Sequence, residues 1–362
     1  MTDTELSSFR LLASLLLRPP ATIEVLPGGA STWISDGAEQ SLSPFLFMEN
    51  NLGVPEKELR QSYLFAVRTF AAARKVSELH ISESSHPTIT PVIQDVIDSS
   101  AVLVFMNPAH QTALNARKRL IQRKLIDVGQ ELKFTAALLS SRHCCKQGEL
   151  WYHRRWLLQR IYPISSPHQE WSASIAPGSQ NFYLASNDLS VEMNIVTRAC
   201  ELYPRNYFGW THRTICIQSA LTSAMHPPTS DVFSEILSKE VISVTQWIES
   251  HISDYSAVHH LKSLAHLVED VETSFLLDNL RRLLPKIGHA VTLVRAFPDH
   301  ETLWMYLRVF WVEGDITAAF VASFVLPLQG TGMMDEGNKS RECPCGAHHA
   351  RRFLEWRSHK LK

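Results

Sequence analysis

Cys343, Cys345, His348 and His349 fall within one short stretch, and thiolates with imidazoles are the ligand set that zinc prefers. Two facts oppose that reading. Cys-Pro-Cys is tighter than the usual two-residue zinc knuckle, and the stretch sits in a Gly-rich loop that opens a helix. The 17 histidines do not form a nucleophilic triad. His153, His212 and His260 stand at one recurring position, where Tyr306 and Ala116 also occur. That interchange fits packing better than proton transfer. There is no glycine-rich phosphate loop and no dinucleotide fingerprint. Lys146 is the remaining chemical group of interest: it stands just before a helix, where a cation opposes the helix dipole and gains nothing locally, and by itself it reads as a solvated loop lysine.

The elements that position these residues repeat along the chain. PRNYFGWTHRTICI begins at Pro204, CKQGELWYHRRWLL at Cys145 and PDHETLWMYLRVFW at Pro298. Weaker copies begin at Pro108, Ile252 and Glu342. Successive starts are 37, 59, 48, 46 and 44 residues apart, the mark of stacked helical hairpins. In the strong copies a turn is followed by Trp, an aromatic or His, and Arg on one helix. Residues three apart share a helical face, so Trp151 lies beside Arg154 and Trp210 beside Arg213. Trp151, Trp210 and Trp304 are expected to bury their rings between hairpins, with Arg154 and Arg213 as polar clamps to neighbouring carboxylates. Asn206 is expected to cap the following helix. In the weaker copies Leu114 and Val258 replace Trp, which preserves packing at a buried seam.

The chain is expected to be all-α, a right-handed α-α superhelix of about six hairpins over residues 92–362, preceded by an irregular region, 1–91, with two helices. Those two helices are read at 1–18, stopped by Pro19-Pro20, and at Glu56–Leu79. Between them lie a short extended piece at Ile23–Leu26 and an apolar stretch and turn at 43–53; a loop follows from His80 to Pro91. Segments 163–180 and 329–342 read as surface insertions. A formal net charge of −1 and a pI near 7.0 argue against nucleic acid as partner. Six cysteines, two of them inside apolar helical segments, point to a reducing, cytoplasmic setting rather than a disulfide framework. The apolar run Leu11–Leu17 is too short to span a bilayer.

NYFGWTHR and ELWYHRRWLL resemble the repeats of protein prenyltransferase alpha subunits, and the similarity extends over roughly residues 40 to 362. The resemblance implies a partner beta subunit that holds zinc and the isoprenoid pocket. Zinc there lowers the pKa of an acceptor cysteine, whose thiolate attacks the isoprenyl diphosphate. No cofactor is expected on this chain itself. The resemblance places Lys146 beside the leaving diphosphate and Asn206 and Tyr207 near the same site. The chain departs from the family's second repeat at Gly148, where Tyr is common, and at Cys145, where Pro is usual. By resemblance the chain would be the alpha subunit of a geranylgeranyltransferase that borrows the Rab geranylgeranyltransferase beta subunit. Geranylgeranyl diphosphate and a farnesylated SNARE would be its substrates. A non-catalytic scaffold binding peptides on helical repeats is the competing expectation.

Overall fold

The computed structural model describes residues 3–33, 42–83, 88–163, 182–224, 230–269, 287–311, 314–330 and 345–360. The chain divides into two compact units, Met1–Ser219 and Ala220–Lys362.

The first unit begins with α1 (Asp3–Leu17), which stops before Pro19-Pro20 because proline cannot continue the helix. The chain then enters β1 (Thr22–Leu26), followed later by β2 (Leu46–Met48) and β3 (Asn51–Pro55). The sheet order is β1-β3-β2. β1 runs parallel to β3, with Thr22 opposite Asn51, and β2 runs antiparallel, with Leu46 opposite Gly53. Glu49 and Asn50 have φ of 49° and 64°, as a tight two-residue hairpin turn requires. Ile23, Leu52 and Val54 are buried, and the Ile23 N–H donates to Ser140 Oγ at 2.9 Å. The sequence suggested one extended piece and a turn; the structure pairs them into a sheet. α2 (Glu56–Glu83) also runs past the expected stop at Leu79.

α1 and α2 meet through Phe9 and Phe65, with ring centroids 4.8 Å apart. Arg10 bridges Asp95 and Asp98 of α3 (Pro91–Met106). α3 opens with Pro91 at its first turn, and Thr90 Oγ1 accepts the Ile93 N–H, a side-chain cap combined with a preset φ.

α4 (Gln111–Gln122), α5 (Val128–Leu139), the single turn α6 (Arg142–Cys145), α7 (Gly148–Ile161), α8 (Ser186–Leu202) and α9 (Tyr207–Ala224) continue the array. The bridge between Pro163 and Phe182 brackets the expected 163–180 insertion, the rest of which lies outside the described residues.

The second unit contains α10 (Ser230–Ser250), α11 (Tyr255–Glu269), α12 (Ile287–Ala296) and α13 (Glu301–Val309). α14 (Asp315–Phe320) passes through a π-helical turn at Val321–Val325 into α15 (Leu326–Gly330), and α16 (Cys345–Lys360) follows. Trp304, Trp311 and Phe353 pack together at its end, with centroids 5.7 and 4.9 Å from Phe353. Most of the expected 329–342 insertion, and Cys343, lie outside the described residues.

The six motif copies and the six helices α4, α7, α9, α11, α13 and α16 share one register. Each helix begins three residues after its copy's first residue, the weak copies included. The Trp position is therefore always the fourth helical residue. It is buried in five copies, as Leu114, Trp151, Trp210, Val258 and Trp304, and exposed as His348 in the last. The fold is all-α apart from one small sheet among the described residues, and none of its described helices is long and apolar enough to cross a membrane.

Candidate functional site

Fixed register puts the buried Arg and His of the motif helices at equivalent places, and those groups need partners. The partner is a glutamate on the first helix of a hairpin. In the first unit Glu131 of α5 takes Nε and Nη2 of Arg117 at 2.8 and 2.5 Å, and Nε2 of His153 at 2.9 Å. Glu192 of α8 takes Nε and Nη2 of Arg154 at 2.8 and 2.6 Å, and Nε2 of His212 at 2.8 Å. Each Arg spends its remaining nitrogen on the first helix of its own hairpin: Arg117 Nη1 on the Ile97 carbonyl and Ser100 Oγ, Arg154 Nη1 on the Leu132 carbonyl and Thr135 Oγ1. In the second unit Glu240 takes His260 Nε2 at 2.6 Å. All of these side chains are buried.

Burial alone would raise the Glu131 and Glu192 carboxyls, but the Arg and His partners hold both at about 2. Burial pushes His153 and His212 below the ordinary histidine value, and the facing carboxylates only partly restore them. Their Nδ1 atoms have no partner, so the neutral tautomer with the proton on Nε2 fits the geometry. The triplets are therefore ionic rivets between hairpins, and their residues are absorbed by structure. Arg213 also lays its guanidinium 5.5 Å from the Trp210 ring and reaches Thr197 Oγ1 at 3.2 Å.

Glu192, His212 and Cys216 place ligand-type atoms within 4.8 Å of one another. The arrangement does not fit a metal ion: Arg154 already occupies both Glu192 oxygens, and burial raises the Cys216 thiol well above its ordinary pKa. Burial likewise raises Cys144 well above the ordinary thiol value and Cys145 to about 11. Neither is a thiolate at neutral pH.

The remaining polar surface of interest lies where α7 and α9 begin. The Cys145 carbonyl accepts Trp151 Nε1 at 2.7 Å and Asn206 Nδ2 at 3.0 Å. Asn206 is fully buried, and its Oδ1 caps the Gly209 N–H at 3.0 Å. Its side chain thus joins the starts of two helices. Lys146, the next residue after this anchored carbonyl, is exposed and makes no ion pair among the described residues. Tyr207 is 61% exposed at the head of α9. No side chain caps α7, whose N-cap is Gln147, so its first amides are free for an anion.

Gly148 is explained here. A Cβ at this position would lie 2.6 Å from Phe208 Cε1: the Phe208 ring leaves no room for a side chain there.

Arg155 is a neighbour that the motif did not single out. Its Nε and Nη1 are buried without a partner, and Tyr152, Tyr207 and Cys216 are the acidic groups near it. It directly follows the clamp Arg154 in the repeat, so its signal in sequence was a second arginine that the carboxylate rivet does not need.

Comparisons with known proteins agree with this repeat geometry. The protein prenyltransferase alpha subunit repeat matches residues 189–220, from Leu189 of α8 into α9. Protein prenyltransferase alpha subunit repeat-containing protein 1 of Danio rerio is 27% identical over 301 residues, covering 76% of this chain and 66% of that protein. The Homo sapiens protein of that name is 27% identical over 280 residues, covering 68% and 66%. Geranylgeranyl transferase type-2 subunit alpha of Saccharomyces cerevisiae is 23% identical over 229 residues, covering 61% and 59%. The chain thus spans just under two thirds of the length of the curated relatives it matches.

Proposed function

We propose that this chain, similar to protein prenyltransferase alpha subunits, is the alpha-type subunit of a heterodimeric protein geranylgeranyltransferase. The observation that carries the reading is the Cys145 carbonyl pinned by Trp151 and Asn206. It holds exposed Lys146 beside the starts of α7 and α9. Positive charge and uncapped helix amides at one place suit a diphosphate that gains charge as the carbon–oxygen bond to the isoprenoid breaks. Lys146 would stabilise the leaving group, and Tyr207 would offer a phenolic hydrogen bond at its edge. Zinc and the isoprenoid pocket belong to a beta subunit in this reading, with zinc making the acceptor cysteine a thiolate. Asn206 acts through Cys145, so it is a positioning residue here rather than a ligand of the diphosphate. The chain is inactive alone.

The test is co-expression with the Rab geranylgeranyltransferase beta subunit, followed by transfer of labelled geranylgeranyl to a mono-farnesylated SNARE. Transfer that needs both chains supports the reading. A stable complex with no transfer to any cysteine-terminated acceptor, or no complex at all, replaces it with a helical-repeat scaffold.

A further inference from the structure

The residue after the clamp position is basic in five of the six motif copies: Lys118, Arg155, Lys262, Arg308 and Arg352, with Thr214 the exception. In the second unit two of these cations line one hollow. It is shallow, opens to solvent and is lined in part by Trp304 and Met305. Arg308 of α13 and Arg352 of α16 contribute their guanidiniums, His349 its ring and Glu301 its carboxylate.

Arg352 Nη1 donates to Glu301 Oε1 at 2.6 Å. Arg308 Nε, by contrast, is buried with no acceptor. Its guanidinium lies 5.6 Å from the Trp356 ring, which supports the cation from one side. A buried, unpaired guanidinium N–H is costly, and burial together with Arg352 lowers the Arg308 pKa despite Glu301. His349 is also lowered, by burial first and then by His348 and Arg352 against Glu301, so its ring is neutral near pH 7.

We propose that this hollow receives a single carboxylate side chain from an acidic segment of a partner protein. The charge arithmetic favours that occupant. Two guanidiniums and one carboxylate leave a net charge of +1, which one carboxylate neutralises. A dianionic phosphate would leave the site negative and would face Glu301. A planar carboxylate also matches the Arg fork in bidentate geometry. The site does not depend on the transferase reading, since it uses none of Lys146, Asn206 or Tyr207.

The experiment follows the Arg Nε–Hε resonances of the full chain by NMR during titration with the capped peptide Ac-Gly-Glu-Gly-NH2. Its Gln counterpart and inorganic phosphate at pH 8 are the comparison probes. The Glu peptide is expected to shift the Arg308 signal saturably and the Gln peptide to leave it in place. Arg352→Gln should weaken binding at least fivefold and Arg308→Gln should abolish it. Arg308→Gln should lower the melting temperature only slightly, because its Nε has no bond to lose and only the contact with the Trp356 ring goes; if that variant fails to fold, Arg308→Lys keeps the charge but not the fork and should also weaken binding. No saturable Arg308-dependent shift with the Glu peptide, or tighter binding of phosphate, would overturn the proposal.

Discussion

Arg154 grips Glu192 with Nε and Nη2 at 2.8 and 2.6 Å, both groups buried, across a sequence separation of 38 residues. The pair is strong because both carboxylate oxygens are met by a fixed fork and because His212 donates to a third lone pair. Removing one partner leaves an uncompensated charge inside the seam. Arg154→Met should therefore destabilise the first unit by about 3–5 kcal/mol, read as a drop in the urea midpoint. Replacing Glu192 by Met in the same chain should recover much of that loss, because the buried charge then disappears with its partner. A double variant as unstable as the single one would show that the seam needs the ion pair itself.

Acid should loosen the same seams in two stages. His153 and His212 sit below the ordinary value of 6.5 in the fold, so the folded state favours their neutral form. Their contribution is present above pH 6.5 and declines as pH falls below it. Glu131 and Glu192 are held at about 2, against 4.5 when free. Their contribution is complete above pH 4.5 and declines as pH falls toward 2. Melting temperature should be flat from pH 8 to 7 and fall progressively below 6.5, with a steeper loss below 4.5. His212→Gln should flatten the upper stage relative to the parent chain, and an unchanged slope between pH 6.5 and 5 would remove His212 from the account.

Gly148 tests whether the start of α7 has room for a side chain. A Cβ placed there meets Phe208 ring atoms at 2.6 to 3.0 Å, and Phe208 is 39% exposed, so the ring has room to swing outward. Gly148→Ala should cost about 1–3 kcal/mol, the range for overpacking a formed contact. Phe208→Ala should be mild alone and should cancel most of the Gly148→Ala cost in the double variant. Additive costs in a thermal-unfolding cycle would mean that Gly148 is required for its backbone rather than for the ring beside it.

How much of this was legible in the sequence depends on whether the partner sits at a fixed offset. The Trp, His and Arg positions recur at constant spacing within one helix, so the repeat and the all-α class could be read directly. Even the weakest copy, at Glu342, predicts the start of α16 at Cys345. Glu131 and Glu192 were not legible as the clamp partners. They lie 14 and 38 residues beyond Arg117 and Arg154, and the insertion after α7 makes the difference. The sheet was hidden for a similar reason: β1 finds β3 29 residues later, in parallel, and neither strand declares the other locally. At the candidate site the capping role of Asn206 could be read, because a residue that caps a helix precedes it at a known distance. Its bond to the Cys145 carbonyl, 61 residues away, could not. Arg155 was passed over because a second arginine on a helix reads as solvated, whereas its Nε is buried.

Lys146 and Asn206 should fail in different ways in a reconstituted transferase. Lys146 is exposed and unpaired among the described residues, so Lys146→Ala should leave melting temperature and beta-subunit affinity unchanged. If it meets the leaving diphosphate, kcat should fall about 100-fold, the scale of losing one charge-stabilising group. Asn206→Ala removes a buried bond to Cys145 and the Gly209 cap, so it should cost about 1–3 kcal/mol of stability. Its turnover should fall by less, because Trp151 still holds the Cys145 carbonyl. Asn206→Asp keeps the cap acceptor but not the donor to Cys145. It should restore stability in part without restoring the lost share of turnover, since it lacks the donor that helps Trp151 hold the backbone carrying Lys146. Recovery of full turnover by Asn206→Asp would mean that the capped helix start, and not the anchored carbonyl, positions the lysine.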